Sequence, residues 1–594
     1  MGHAMQPKLK GDTLFVPVDD GVYFRNNRGS LKIKGKVIYH WVESLAPYLN
    51  GGHTLAEITA GLDSEKQTMV TELVNILTAQ GFVRDISQDL PHTLSPTEQE
   101  TYAAELAFID SYCNSAASRF ERFRAHQVLL IGSGLTLSGL VHASLKGGLR
   151  QITVMTTPEC ETDTRRHHEY LDRFHQGDPR QTLTVIGAPR WENEAEVLAT
   201  LQPFNTIISV SDRPMLARAS LLNRLCVMQK KNLLQAVLVD DHAWIGPLVR
   251  PDVEACWECA WRRLQGNLSR IHQQFPVYAF ANQTTAPLSR FLAGPTAAFV
   301  ANLLSFEVFK YLTEAGPIET SGHVIEFDLE TLRMLKHPFM PHPLCGTCPH
   351  PTPRTEVQFL ETIQQLEQGA PVDQDLFSKR VAPCFETRLG LFRAIDEGDI
   401  LQLPVSVSQV IVSNPVPQEY PHNLPALLGC GARFGTARKQ GAKLACEVYA
   451  ASAVDRRRLF SEQVPAPQDP HCQTLPAERF LSEAPLSEAK EWTWAVDLHS
   501  GQAYLVPAPL VFPLLRGLNP LNEARLGIGS GMSWAEAISR ALLSVCHYLT
   551  VTQLASAQKP YPQVDLAAIP LESEEIRQLR ILSILDTRQN SCLC

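Results

Sequence analysis

HQVLLIGSGLTLSGLVHASLKGGLRQITVMTT, residues 126–157, decides the fold of this chain. Val128, Leu129, Leu130 and Ile131 form a short apolar run that ends in a turn at Gly132 and Gly134. Leu137, Leu140, Val141 and Leu145 then recur at helical spacing, and a second β-rich run, Gln151 to Thr156, follows the Gly147–Gly148 break. Strand, glycine turn, helix and strand make one βαβ unit, whose strands lie parallel in a sheet with the helix across one face. The third glycine is Gly139, and Leu137 stands where a regular dinucleotide turn has glycine.

Downstream, FNTIISVSDRP (204–214) and LLNRLCVMQKKNLLQAVLVDDHAWIGPLVRP (221–251) continue the alternation of strand and helix. CWEC (256–259) and CGTC (345–348) come next. Two Cys-x-x-Cys knuckles are the usual way to surround one Zn²⁺ with thiolates. If Cys256, Cys259, Cys345 and Cys348 fill all four tetrahedral positions, none is left for water or substrate, and the metal is a staple. The order of strand, Asp, helix, strand and Cys-x-x-Cys resembles the ThiF family, related to ubiquitin-activating enzymes and MccB. The resemblance implies a Rossmann-like domain over 125–352 in which the two knuckles hold structural zinc. It also admits a homodimer, because ThiF-like domains often dimerise.

Active members of that family adenylate a carboxylate, and use an acid after the second strand, an Asn-Arg-Gln-type element and a lysine near the phosphates. Here the second strand runs into VMTTPECETDTRR (154–166), with no carboxylate at the strand end and no such element. Asp212 matches the family's acid near the adenylation centre, although an Asp after a strand is also a common helix N-cap. The expectation is a scaffold that has lost the reaction and does not bind ATP productively.

Residues 12–35 alternate apolar and polar side chains, with DDG and NNRG at hairpin spacing, and predict three antiparallel strands. Val37, Ile38, Trp41, Val42 and Leu45 then mark a helix, Thr54 and Glu57 a capping box that opens a second, and Gly81 the end of a third. The pattern is a small winged helix-turn-helix. Residues 67–81, where a DNA-reading helix would be basic, carry only Glu72 as a charge. The segment resembles the RiPP recognition element, the PqqD-like domain that holds a precursor peptide's leader. That resemblance implies β-augmentation along Ser30, Leu31, Lys32 and Ile33, in a groove walled by Val70, Leu73, Val74 and Leu77. The same four apolar residues also fit a plain helix core. The domain is expected over 5–90, with a helical linker over 91–124.

Beyond 355 the chain carries proline-rich loops, two glycine turns each followed by an amphipathic helix (429–453 and 525–549), and a hairpin over 494–512. These parts resemble a YcaO domain, the ATP-dependent cyclodehydratase that makes azolines. Such enzymes hold Mg²⁺ and nucleotide with several Glu and Gln residues. Glu447 is the one candidate kept here; Ala450, Ser544 and His547 stand at the other positions. A truncated, degenerate α+β YcaO-like domain over 355–594 is expected, with NSCLC (590–594) as a flexible tail.

With 594 residues the chain is too long for one core. A hydrophobic share of 44%, a charged share of 19% and a mean hydropathy of -0.10 fit a globular protein without a membrane span. The net charge of -9 disfavours nucleic acid. The first residues, MGHAM, read as a vector remnant with the native start at Met5, and a cytoplasmic location is expected. Taken together, the multidomain α/β chain resembles the ocin-ThiF-like proteins, or F proteins, of thiazole/oxazole-modified peptide and thiopeptide clusters. The resemblance implies a non-catalytic partner that binds the precursor's leader and delivers the core to a separate YcaO cyclodehydratase. The alternative is an ATP-dependent adenylating or cyclodehydrating enzyme acting on a peptide directly.

Overall fold

The computed structural model describes residues 5–556 apart from 28, 253–254, 268–287, 349–351, 395–404, 416–425, 462–474, 476–489, 513–514 and 516–525. The NSCLC tail and most of the proline-rich loops lie outside the described residues.

At the N-terminus, β1 (Pro7–Leu9) pairs with β5 (Val83–Asp85), and β2 (Leu14–Val18), β3 (Gly21–Arg25) and β4 (Ser30–Lys34) form an antiparallel meander. Three helices follow the meander, α1 (Ile38–Leu45), α2 (Leu55–Thr59) and α3 (Ser64–Ala79). The Thr54–Glu57 capping box is present, and Gly81 follows α3 in the left-handed region at φ 76°. Val22 and Phe24 of β3 pack on Val42, Val70, Leu73, Val74 and Leu77, all buried.

Helices α4 (Pro96–Thr101), α5 (Ala103–Tyr112) and α6 (Ala116–Arg124), expected as a linker, bury Tyr102, Ile109, Phe120 and Phe123 in the same core as the large sheet. Arg124 explains their attachment. It is fully buried, donates to the Gly148 carbonyl at 3.0 Å, and pairs with Glu98 and Asp178. Burial opposes the Glu98 charge, but hydrogen bonds from Ser95, Arg150 and Arg124 outweigh it and hold the carboxyl far below its ordinary value.

The large sheet contains β6 (Gln127–Ser133), β7 (Gln151–Thr156), β8 (Thr182–Gly187), β9 (Thr206–Ser211), β10 (Asn232–Val239), β11 (His242–Ile245), β12 (His323–Asp328) and β13 (Met334–Pro338). Its order is β13-β12-β11-β10-β9-β6-β7-β8, parallel from β8 to β10 and antiparallel beyond. Between the strands lie α7 (Gly134–Lys146), α8 (Thr164–His175), α9 (Glu194–Leu201), α10 (Leu216–Met228), α11 (Trp257–Asn267) and α12 (Gly294–Thr313). β6 is flanked by β7 and β9, so the strand order reverses there. The displaced Gly139 has a packing role: a Cβ on it would stand 3.0 Å from Ala301 on α12.

The C-terminal region contains α13 (Glu356–Gln368), α14 (Gln374–Val381), the antiparallel strands β14 (Phe392–Ala394), β15 (Ser406–Val412) and β16 (Ala426–Gly431), and α15 (Phe434–Ser452) across that sheet. The hairpin β17 (Trp492–Val496) and β18 (Ala503–Pro507), α16 (Ala508–Val511) and α17 (Trp534–Ser556) complete it. The architecture is multidomain α/β around one large mixed sheet.

Candidate functional site

Two cysteine pairs far apart in sequence meet at one point. Cys256 and Cys259 open α11, and Cys345 and Cys348 come from the loop after β13; the four are buried, with sulfurs within 4.8 Å of one another. Sγ–Sγ separations of 3.6 Å (Cys256–Cys345) and 3.5 Å (Cys259–Cys348) are close to the edge of a tetrahedron with Zn–S bonds of ~2.3 Å, which is ~3.8 Å. Cys345 Sγ accepts the backbone N–H groups of Thr347 and Cys348, each at 3.4 Å, and Cys256 Sγ accepts from Asn223 at 3.3 Å. Donors on the sulfurs suit thiolates, so the set fits a metal such as zinc. Glu258, inside the first knuckle, accepts from Thr347 Oγ1 at 2.5 Å and Gly346 N at 3.3 Å, and ties the second knuckle to the first. Asn223 and Glu258 were not singled out in the sequence; for Glu258 the available signal was its place between two ligands.

At the glycine turn after β6, the first N–H groups of α7 are engaged within the fold. Asp212, just beyond β9, accepts from Leu135 N at 2.7 Å and from Thr136 N at 2.9 Å and Oγ1 at 2.6 Å. Thr162 Oγ1 accepts from Gly134 N at 2.9 Å. These are the N–H groups with which a helix after a glycine turn would bind phosphate. At Gly134, φ is 83° and a Cβ would stand 2.2 Å from Asp212 Oδ2, so glycine is what admits the carboxylate. Asp212 therefore caps a helix, but from outside and at α7, the helix after a different strand. The acid missing at the end of β7 has a near neighbour in Glu159, which is buried and bound to Arg218 at 2.6 Å and Ser133 Oγ at 3.2 Å.

Glu447, on α15, is likewise engaged. It accepts from Ser530 N at 3.0 Å, Ser530 Oγ at 2.9 Å and Arg540 Nη2 at 3.1 Å, while Lys443 pairs with Glu536, so its carboxylate ties α15 to α17.

At the N-terminal sheet, β4 is the outer strand, with no partner on its far side among the described residues. Asn26 N bonds Gly29 O at 3.0 Å and Gly35 N bonds Asp20 O at 2.8 Å; with the observed register, alternation makes 24–31 and 22–33 the bonded pairs. Leu31 and Ile33 thus bond to β3, and the backbone groups of Ser30, Lys32 and Lys34 face outward. Val70, Leu73, Val74 and Leu77 are 0–6% exposed and belong to the core. Val70 also lines a cleft of ≈ 600 Å³ with Trp41, Tyr48 and Ile58.

No protein family and no curated protein matches the chain. Among solved structures it is similar to a heterocyclase in complex with substrate and cofactor, at 15% identity over 98% of this chain and 75% of that one, with a TM-score of 0.59. It is also similar to the heterocyclase TruD, at 16% identity over 98% and 74%, TM-score 0.55. E. coli MccB with ATP matches 58% of this chain and 99% of its own, at 13% identity and TM-score 0.42. At these identities the likeness to heterocyclases is one of fold.

Proposed function

We propose that this chain is a peptide-holding, non-catalytic partner in the biosynthesis of azole- or azoline-containing ribosomal peptides. Residues 5–90 act as a RiPP recognition element, 91–124 link it onward, 125–352 form a ThiF-like unit with a four-cysteine zinc site, and 355–594 form a truncated YcaO-like unit. The precursor's leader adds as a strand to β4, and its core is delivered to a separate YcaO cyclodehydratase, which the chain activates in the cytoplasm. Tethering raises the local concentration of the core at that enzyme.

The observation that carries this reading is the outward edge of β4. Its unpaired backbone groups supply the sequence-tolerant half of β-augmentation, and the exposed Ser30, Lys32 and Lys34 side chains flank them. The internal engagement of Asp212, Glu159 and Glu447 supports the absence of catalysis, because each of these three acids already holds the fold together. Zinc at the four cysteines supplies folding energy and no reaction step.

The test is fluorescence anisotropy of a labelled leader from a precursor encoded beside this protein, titrated with the wild-type chain and with Lys32→Pro, which removes an outward donor. Saturable binding weakened about tenfold or more by the substitution is expected, with no ATP consumed by chain and peptide alone. No binding by folded wild type, or ATP turnover without a separate enzyme, would favour the adenylating or cyclodehydrating alternative.

A further inference from the structure

Between the second cysteine knuckle and the C-terminal region lies a cleft of ≈ 840 Å³. Arg263, Arg354, Arg457 and Arg458 line it against a single carboxylate, Asp455, in a chain whose net charge is -9. Two of the arginines hold the knuckle: Arg263 donates to the carbonyls of Met340 and Pro341, each at 2.6 Å, and Arg457 donates to that of Pro343 at 2.9 Å. The other two are placed differently. Arg354 is exposed and its guanidinium has no partner among the described residues; Arg458, 59% exposed, meets Asp455 only at 3.4 Å.

His342 belongs to the same wall. It is 3% exposed, lines the cleft, and accepts the Leu344 N–H at Nδ1 at 3.1 Å. A ring that accepts at Nδ1 carries its hydrogen on Nε2. The walls are aromatic: Trp494 donates from Nε1 to the Arg354 carbonyl at 2.8 Å, Phe359 stacks on Trp494 at 6.3 Å, and Tyr449 lines the same cleft. Basic rim and aromatic wall together suit an oxyanion carried next to an apolar side chain. The exposed β4 edge is basic too, with Lys32 and Lys34, and Lys36 follows it.

We propose that this cleft binds an acidic segment of the same peptide that pairs with β4, its carboxylates meeting Arg354 and Arg458 and a neighbouring aromatic or aliphatic side chain resting on Trp494. The assignment deepens the peptide-holding reading and rests on it.

The experiment titrates the full chain into a labelled synthetic peptide alternating Glu with Leu and Phe, beside its Gln counterpart and beside ATP. The proteins are the wild type, Lys32→Pro, and the double variant Arg354→Glu/Arg458→Glu, whose exposed positions preserve folding, as melting would verify. The expected result is binding of the Glu peptide only, weakened about tenfold or more by the double variant. Binding that the double variant leaves unchanged and Lys32→Pro abolishes overturns the cleft while sparing the β4 reading. No binding of the Glu peptide by wild type also overturns it, and the leader titration then judges the β4 reading separately. ATP binding that is lost in the double variant assigns the cleft to nucleotide and ends the peptide proposal.

Discussion

His337, on β13, is held between two carboxylates, with Nε2 2.9 Å from Glu326 and Nδ1 2.7 Å from Glu386. Burial opposes its charge, but the hydrogen bonds it donates to both acids outweigh it and lift the imidazole to about 9. Burial opposes ionisation of Glu386 as well; His337 and the backbone N–H groups of Leu389 and Arg388 bring it down to about 2. The histidine's contribution is therefore complete below its unfolded value of 6.5 and is lost as pH rises through 9; that of Glu386 is present above 4.5 and is lost as pH falls towards 2. His337→Gln should lower stability by about 2–3 kcal/mol at pH 6 and by much less above pH 9, measured by denaturant unfolding across pH. A pH-independent loss would show that packing, not charge, is what the histidine provides. None of this was legible in the sequence, because Glu386 lies 49 residues away and a histidine beside prolines carries no period or motif. Asp212 shows the limit more sharply: its side chain type and place after a strand suggested a cap, but which helix it caps depends on the crossing of β9 and α7.

Strands and helices were read far better, because their signal is periodic and local. The meander, the capping box at Thr54 and the first βαβ unit appear where alternation and glycine turns put them. Strand β4 was legible, but the direction of its backbone groups was not; that follows from the hydrogen bonds Asn26–Gly29 and Asp20–Gly35 at the two ends of the ladder, which set the alternation of bonded pairs. The consequence can be measured without any ligand. Leu31→Pro removes a ladder donor shared with β3 and should cost roughly 3 kcal/mol, whereas Lys32→Pro removes a donor that faces outward and should cost less than about 1 kcal/mol. Equal losses of melting temperature in the two variants would disprove the alternation. The linker was the weakest reading: its helices were expected, but their burial against the sheet depends on Arg124 meeting Glu98 and Asp178, which are brought together only by the fold.

At the level of the whole molecule, the cysteine cluster does more than close the end of the large sheet. Its two knuckles touch three bodies: α11 carries one pair, the loop after β13 the other, and the C-terminal region grips that loop through Arg457, which donates to the carbonyls of Cys345 and Pro343. Arg263 on α11 reaches the Met340 and Pro341 carbonyls and, at 3.3 Å, the Tyr449 hydroxyl on α15. Asn414 N donates to the Gly266 carbonyl at 3.0 Å, and Asn267 Nδ2 to that of Gly390 at 2.9 Å, so α11 is also pinned against the β14–β15 sheet. If metal organises the knuckles, it organises the seat of the C-terminal region with them. Cys256→Ser should therefore lose bound zinc and folding stability together, since binding energy at such a site is folding energy. Hydrogen exchange should then quicken in two places, around Cys345–Cys348 and in residues 385–392 and 445–459 of the C-terminal region, while β2–β4 stay protected. A variant that loses zinc yet melts unchanged would remove the staple. Faster exchange at the knuckles alone would leave the C-terminal region held by its own ion pairs, Glu447–Arg540 and Lys443–Glu536, and would make it a unit that stands without the metal.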